Sequence, residues 1–236
     1  MYRFFLAQKL NDKNIIFLKD KALTHQMGRV LRLRRGDRVA FFNNLPGEQG
    51  VDVIAEIKNA DGSTISFLVK DRVENVREST KYLTLHCALI RKERFEWMLE
   101  KATEAGVHEF VPLVAAHSMR KSIQRARCEA IIKEAAEQSG RAIIPRLHDV
   151  ISFDQALKQA AASKRKTFFA ASSERDNMIR GAGDRHINLF IGPEDGWDPK
   201  EIFLAHEAHC EMVSLGRLMF RAETAAVVGS YTLLWA

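Results

Sequence analysis

Two stretches of the chain set glycine, apolar strand-like residues and charged side chains in an order that suits ligand chemistry. INLFI runs into GPEDGWDPKE, where Gly192 and Gly196 bracket a tight turn and Asp198-Pro199 opens a helix. CEMVSLG runs into RLMFRAETAA, where Gly216 again frees the backbone. Glycine at such a bend lets the main chain approach a ligand and present its amide groups. Ligands of open α/β sheets collect at the carboxyl ends of strands. Each bend therefore reads either as part of a ligand cradle or as an ordinary strand–loop–helix junction. Neither matches GxGxxG or a Walker loop, which disfavours dinucleotide or NTP binding. Just beyond the second bend, Arg221 offers an always-charged fork for an anion, or simply an ion pair with a neighbouring acid. Glu223 offers a carboxylate for proton transfer, or an offset to the unpaired amides of a helix start. His206, His209 and Cys210 lie close together, but no fourth donor is evident and no metal site is expected.

Such bends need a sheet to hold them. From residue 81 onward, apolar runs (YLTLHCALI, EFVPLV, TFFAAS, INLFIG, CEMVSLG) alternate with helix-length segments. The helical segments are RKERFEWMLEKATEAG, residues 123–140, FDQALKQAAAS, DPKEIFLAHEAH and RAETAAVVGSYTLLWA. That alternation predicts an α/β fold, a parallel sheet flanked by helices. The last helix is apolar nearly all round and must be buried in the core or in a partner subunit. Residues 1–72 read differently. RFFLAQ, RVAFFN, GVDVIAEI and STISFLVKD are short strands with period-2 patterning, as in a small β-barrel or curled sheet. Residues 21–33 form the exception and predict a short helix, with arginines beside its apolar stripe. The polar stretch VENVREST is expected to be a linker. The resulting division is 1–72, a linker at 73–80, and 81–236.

The 236 residues are 46% hydrophobic and 28% charged. That is the balance of a soluble globular protein. No apolar run is long enough to cross a bilayer, and the opening residues do not read as a leader. Three cysteines (Cys87, Cys128 and Cys210) without a CxxC pair point away from disulfides or zinc and toward a reducing cytoplasm. The net charge of +6 is uneven, since residues 1–72 hold 13 basic and 8 acidic side chains. Arg29, Arg32, Arg34, Arg35 and Arg38 crowd one stretch against Asp37 alone. They form either a polyanion-binding patch or a solvated basic face.

Taken together, the motifs resemble a known family. IGPEDGWDPKEI is similar to the IGPEGGF segment of the ribosomal RNA small subunit methyltransferase E family, and SLGRLMFRAETAA resembles its SLGxRILRTETA. FEWMLEKATEAGVHEFVPLVAAHSMRK resembles the central KATELGV block, EAAEQSGR its helix-ending motif, and HQMGRVLRLRRGD its HHLRVLRLKPGD. These five ordered blocks span nearly the whole chain. Two departures stand out: Asp195 replaces the second glycine of GPEGG, and RLMF at 217–220 displaces the first arginine of its motif.

The resemblance implies an enzyme dependent on S-adenosylmethionine that methylates N3 of one uridine in 16S ribosomal RNA. It also implies an N-terminal PUA-like β-barrel, a C-terminal SPOUT domain with a deep trefoil knot, and a homodimer that acts on RNA of the small ribosomal subunit. Gly192, Pro193, Glu194 and Gly196, with Ser214, Leu215, Gly216, Leu218 and Phe220, would then cradle the cofactor. Uracil N3 carries a proton in the neutral base and lies on the pairing edge, so the base must be exposed and deprotonated. Arg221 would stabilise the uracil anion or anchor phosphate, and Glu223 would act as the base or hold the reacting edge. Glu194 has an alternative role in bracing its own loop. Phosphate contacts would come from Arg3, Arg29, Arg32, Arg34, Arg35, Arg120 and Lys121. His25, Gln138 and Arg141 are further RNA candidates, with a structural role as the alternative for His25. Phe4, Phe5, Phe41 and Phe42 would stack on bases or pack in the core. The other readings are a methyltransferase of the same fold for another RNA, and a non-catalytic RNA-binding or ribosome-assembly protein.

Overall fold

The computed structural model describes residues 1–236 except 11, 13, 62, 63, 172, 173, 175 and 176. It divides into two compact units: Met1–Glu78 with Ala136–Ile144, and Ser79–Ala135 with Pro145–Ala236.

The first unit contains β1 (Tyr2–Phe5), β2 (Ile15–Leu18), α1 (Lys21–His25), a π-helical turn (Gln26–Val30), β3 (Arg38–Phe42), β4 (Val51–Asp61) and β5 (Thr64–Glu74). The strands form one sheet in the order β1-β3-β4-β5-β2, parallel between β1 and β3 and antiparallel elsewhere. Val53, Ala55 and Ile57 alternate into a core shared with Phe4, Ile16, Phe41 and Phe67. Irregularities between Ile54 and Ala55 and between Ile57 and Asn59 interrupt the β4–β5 register. The hydrogen-bonded path ends on β1 and β2, so among the described residues the ladder does not close into a barrel.

Three local features differ from the sequence expectations. The four-residue β2 carries too short a pattern to read as a strand. β5 continues into the expected linker as far as Glu74, because Arg72, Val73 and Glu74 still pair with Val53, Asp52 and Val51. The helix expected over 21–33 is capped by Asp20, whose Oδ1 accepts from Leu23 N at 3.0 Å, but it widens into the π turn and ends early. Arg32 adopts a left-handed φ of 54°, and Leu33 N returns to Met27 O at 2.9 Å.

The EQSGR motif also belongs to this unit. Gly140, at φ 80°, ends its helix as Arg141 N closes on Ala136 O at 3.1 Å. Glu137 Oε1 accepts from Phe5 N at 2.9 Å, and the Gly140 carbonyl accepts from Asn75 Nδ2 at 3.0 Å. Arg141 is buried with its Nε 2.8 Å from Glu78 Oε1, and its carbonyl accepts from Arg3 Nη2 at 2.9 Å. Arg3 in turn pairs with Asp52 at 2.7 Å and lies over the Phe42 ring.

The second unit contains β6 (Tyr82–Ala88), α2 (Lys92–Ala105), β7 (Glu109–Val114), the start of α3 (Arg125–Ser139), β8 (Arg146–Leu147), β9 (Ile151–Ser152) and α4 (Phe153–Ala162). It continues with β10 (Lys166–Ala170), β11 (His186–Ile191), α5 (Pro199–Glu207), β12 (Glu211–Val213) and α6 (Ala222–Trp235). The expected parallel sheet forms in the order β12-β10-β11-β6-β7-β8, with β9 also beside β7. Strand alternation divides its residues between two helical layers. On one face Phe169 and Phe190 pack against Phe153 of α4. On the other, Leu189 meets α6 so closely at Gly229 that an added Cβ would lie 3.0 Å from Leu189 Cδ2. α6 buries Ala225, Ala226, Leu233 and Leu234 but leaves Tyr231 and Trp235 exposed.

Buried His86 of β6 stacks on Phe190 with ring centroids 4.3 Å apart, its Nε2 3.3 Å from Asn188 Oδ1. The Asn188 amide donates to Ser163 Oγ and Thr167 Oγ1, so its oxygen faces the ring as acceptor and His86 Nε2 carries the proton. Burial lowers this imidazole to about 4, so the unfolded chain takes up its proton first, near pH 6.5. Stability is therefore lost as pH falls from about 6.5 toward 4. Urea unfolding is expected to show a loss of about 2 kcal/mol between about pH 7 and about pH 5 that is absent in His86→Gln.

Candidate functional site

Because β10, β11 and β12 run parallel, their carboxyl ends emerge at one edge of the sheet and their loops meet there. The bends after β11 and β12 line a single cleft of about 580 Å³, together with Ala170, Ala171, Glu174, Ala222 and Ala225. All nine residues expected to hold the cofactor line it: Gly192, Pro193, Glu194 and Gly196 from one bend, and Ser214, Leu215, Gly216, Leu218 and Phe220 from the other.

The local chemistry explains the shape. At Gly192 a Cβ would stand 2.9 Å from the Trp197 ring, so only glycine lets the indole lie against this backbone. Trp197 Nε1 donates to Ala170 O at 2.9 Å, which ties the bend to the end of β10. Gly196 at φ 77° and Gly216 at φ 133° turn where an L side chain is strained. The Ser214 backbone is engaged on both sides, its N donating to Asn177 O at 2.8 Å and its carbonyl accepting from Ile179 N at 2.7 Å. Asp198 caps α5 in a reciprocal box with Glu201, whose second oxygen accepts from Ala116 N at 2.8 Å. His117 Nδ1 lies 3.0 Å from Gly196 O and holds the turn from the β7 side.

The charged candidates separate into distinct settings. Glu194 lines the cleft and pairs with Arg94 Nη1 at 2.6 Å, so it braces its loop as well. Glu223 is buried in the first turn of α6, with Oε1 3.8 Å from Arg94 Nε and Oε2 without a hydrogen-bond partner among the described residues. Arg221 is the exposed N-cap residue of α6 and carries no ion pair among the described residues. His209, at φ 57°, follows α5 in a left-handed turn, and Cys210 lies just ahead of β12.

His25, Arg29, Arg32, Arg34 and Arg35 all lie at the surface of the first unit, and Asp37 is occupied in accepting from Arg34 N at 2.6 Å. Lys121 and Gln138 are exposed and Arg120 partly so. Arg3 and Arg141 do not belong with these, because burial commits one to Asp52 and the other to Glu78. Phe4, Phe41 and Phe42 are buried and not free to stack on a base, while Phe5 is half-buried and packs edge-on against Phe42 at 5.7 Å. No local sequence signal marks Arg94, His117 or the seating of Trp197 on Gly192. Arg94 lies 100 residues from Glu194, and no local pattern joins them.

A family model described as an RNA methyltransferase domain matches residues 77–233. A protein of Synechocystis sp. named ribosomal RNA small subunit methyltransferase E is 32% identical over 235 residues, covering 96% of this chain and 75% of that protein. This chain belongs to the ribosomal RNA small subunit methyltransferase E family. A family member from Rickettsia conorii is 26% identical over 231 residues, 95% of this chain and 91% of that protein. Among solved structures, the Neisseria gonorrhoeae family member bound to S-adenosyl methionine has a TM-score of 0.88 at 25% identity, covering 98% of this chain and 95% of that one.

The Gly192–Trp197 contact generates a prediction. Gly192→Ala forces the indole off its seat, and overpacking of this kind costs about 1–3 kcal/mol. Thermal unfolding should show a lowered Tm, and Trp197 fluorescence a changed environment in the folded variant.

Proposed function

We propose that the protein transfers a methyl group from S-adenosylmethionine to small-subunit ribosomal RNA, at N3 of a uridine in 16S rRNA. The observation that carries this reading is the cleft shared by the two bends, with the buried carboxylate of Glu223, one oxygen unpartnered among the described residues, on the adjoining helix. A volume of about 580 Å³ suits a cofactor-sized ligand. The lining fits its chemistry as well, with Leu215, Leu218 and Phe220 apolar enough for adenine and Glu174, Glu194 and Asp195 offering carboxylates to a cationic donor. When bound, S-adenosylmethionine supplies an electrophilic methyl on a sulfonium, and the C–S electron pair stays with sulfur as the methyl moves to N3. The chain's part is to expose N3, take its proton and hold the base in line. Glu223 Oε2 accepts the N3 proton, leaving the pair on nitrogen for the new bond. Arg221, exposed and outside any ion pair among the described residues, faces the developing charge on the uracil oxygens or the adjoining phosphate.

The remaining features follow the same reading. Residues 1–72 form the PUA-like, RNA-gripping part, joined through 73–80 to the methyltransferase part at 81–236. Their surface residues His25, Arg29, Arg32, Arg34 and Arg35 contact the RNA, with Arg120, Lys121 and Gln138. The second unit is a SPOUT fold with a trefoil knot: the chain runs from β12 at the sheet edge back through the second bend into α6, which packs on β6 and β11. Exposed Trp97, Leu218, Met219, Tyr231 and Trp235 form apolar surface for a second copy of the chain, giving a homodimer in the cytoplasm.

The deciding experiment incubates 16S rRNA in small subunits with the protein and cofactor, then reads it by reverse transcription. An N3 methyl blocks pairing, so a stop at one uridine is expected, with a rate lowered roughly 10²–10⁴-fold in Glu223→Gln. No stop, together with no rise in Tm at saturating cofactor, would instead favour the non-catalytic assembly protein. A second expectation concerns the basic surface. Neutralising Arg29, Arg32 and Arg34 should weaken RNA affinity and reduce the log–log salt slope by about 2; an unchanged slope would place the RNA elsewhere.

A further inference from the structure

Arg94 stands on the first turn of α2 and reaches two carboxylates that are far apart in sequence. Its Nη1 lies 2.6 Å from Glu194 Oε1, and its Nε lies 3.8 Å from Glu223 Oε1. Glu194 belongs to the wall of the cleft, and Glu223 to the helix that carries Ala222 and Ala225 into the same wall. Glu223 is only 8% exposed, yet its Oε2 has no hydrogen-bond partner among the described residues. A buried acceptor left open costs free energy unless a donor arrives to meet it. Helix α2 packs on α6, so the guanidinium projects from a rigid support.

We infer that Arg94 is a positioning residue for methyl transfer: it holds Glu223 by one oxygen, leaves the other for the substrate proton, and fixes that carboxylate relative to the donor loop through Glu194. The inference rests on the function proposed above and assigns a residue to its geometry. The planar fork is what makes the role specific to arginine. Separate nitrogens face the two carboxylates, whereas the ammonium of lysine is a single point charge. With about a third of its side chain exposed, Arg94 contributes little to folding through these pairs. Its effect should therefore fall on catalysis, where a misplacement of about 1 Å can cost on the order of 10²-fold.

The test measures single-turnover and steady-state methyl transfer by wild type, Arg94→Ala, Arg94→Lys, Glu223→Gln and the double variant Arg94→Ala/Glu223→Gln, with a Tm for each. Arg94→Ala should lower kcat by roughly 10–100-fold at saturating RNA and cofactor, with a smaller change in the KM for RNA. Arg94→Lys, which retains the charge, should recover only a small part of that loss. Because Arg94 acts through Glu223, the double variant should be no slower than Glu223→Gln alone. Losses that multiply in the double variant would show a separate, merely structural contribution and overturn the inference, as would wild-type kcat in Arg94→Ala. Should Arg94→Ala fail to fold, the lysine variant decides, since full activity in it excludes the fork. A wild-type protein that transfers no methyl overturns the functional reading and this inference together. A wild type that transfers methyl alongside fully active Arg94 variants overturns this inference alone.

Discussion

The cleft depends on one contact, the Trp197 indole lying against the bare backbone of Gly192. That contact folds the first bend back over the end of its own strand, and the bond from Trp197 Nε1 to Ala170 O fastens it to the neighbouring strand. Parallel pairing of β10 with both β11 and β12 then brings the second bend to the same edge. Phe153 and Phe169 support the indole from below, with ring centroids 5.4 and 4.6 Å from it, and Phe190 packs against both. The ligand wall is therefore an extension of the hydrophobic core, and a change in packing beneath it reaches the chemistry directly.

Charge is uneven along the chain. Residues 1–72 hold 13 basic against 8 acidic side chains, and their arginines crowd an exposed stretch positioned by a short capped helix, a π turn and a left-handed arginine. A polyanion can be attracted there without reference to sequence. The second unit sets paired charges beside the cleft, where position matters more than number. Arg94, Glu194 and Glu223 illustrate this: one cation spans two acids and leaves Glu223 Oε2 without a partner among the described residues.

Much of this was legible in the residues. Near-continuous apolar runs separated by helix-length segments foretold the parallel sheet, because that signal is local. Each glycine bend read either as a ligand cradle or as an ordinary junction, and it is the pairing of β10 with β11 and β12 that joins the two in one cleft. What failed to appear was set by tertiary packing. Arg3 and Arg141 look like RNA-facing cations in sequence, but Asp52 and Glu78 draw them inward across gaps of 49 and 63 residues. The paired phenylalanines of β1 and β3 suggest a stacking platform until the sheet turns Phe4 and Phe41 into its core and buries Phe42 as well. The π turn replaces an expected helix because its hydrogen-bond spacing is too subtle for apolar periodicity to reveal. Arg94 shows the same limit, since a basic residue opening a helix carries no mark of the two acids it will meet.

The central claim is that two glycine bends form one pocket for a sulfonium donor. The most direct measurement is a crystal structure of the protein with S-adenosylhomocysteine, the product left after transfer. The ligand is expected between Gly192–Trp197 and Ser214–Phe220, with its sulfur on the side nearest Glu223. Density for the ligand elsewhere, or a vacant cleft at saturating concentration, would contradict it.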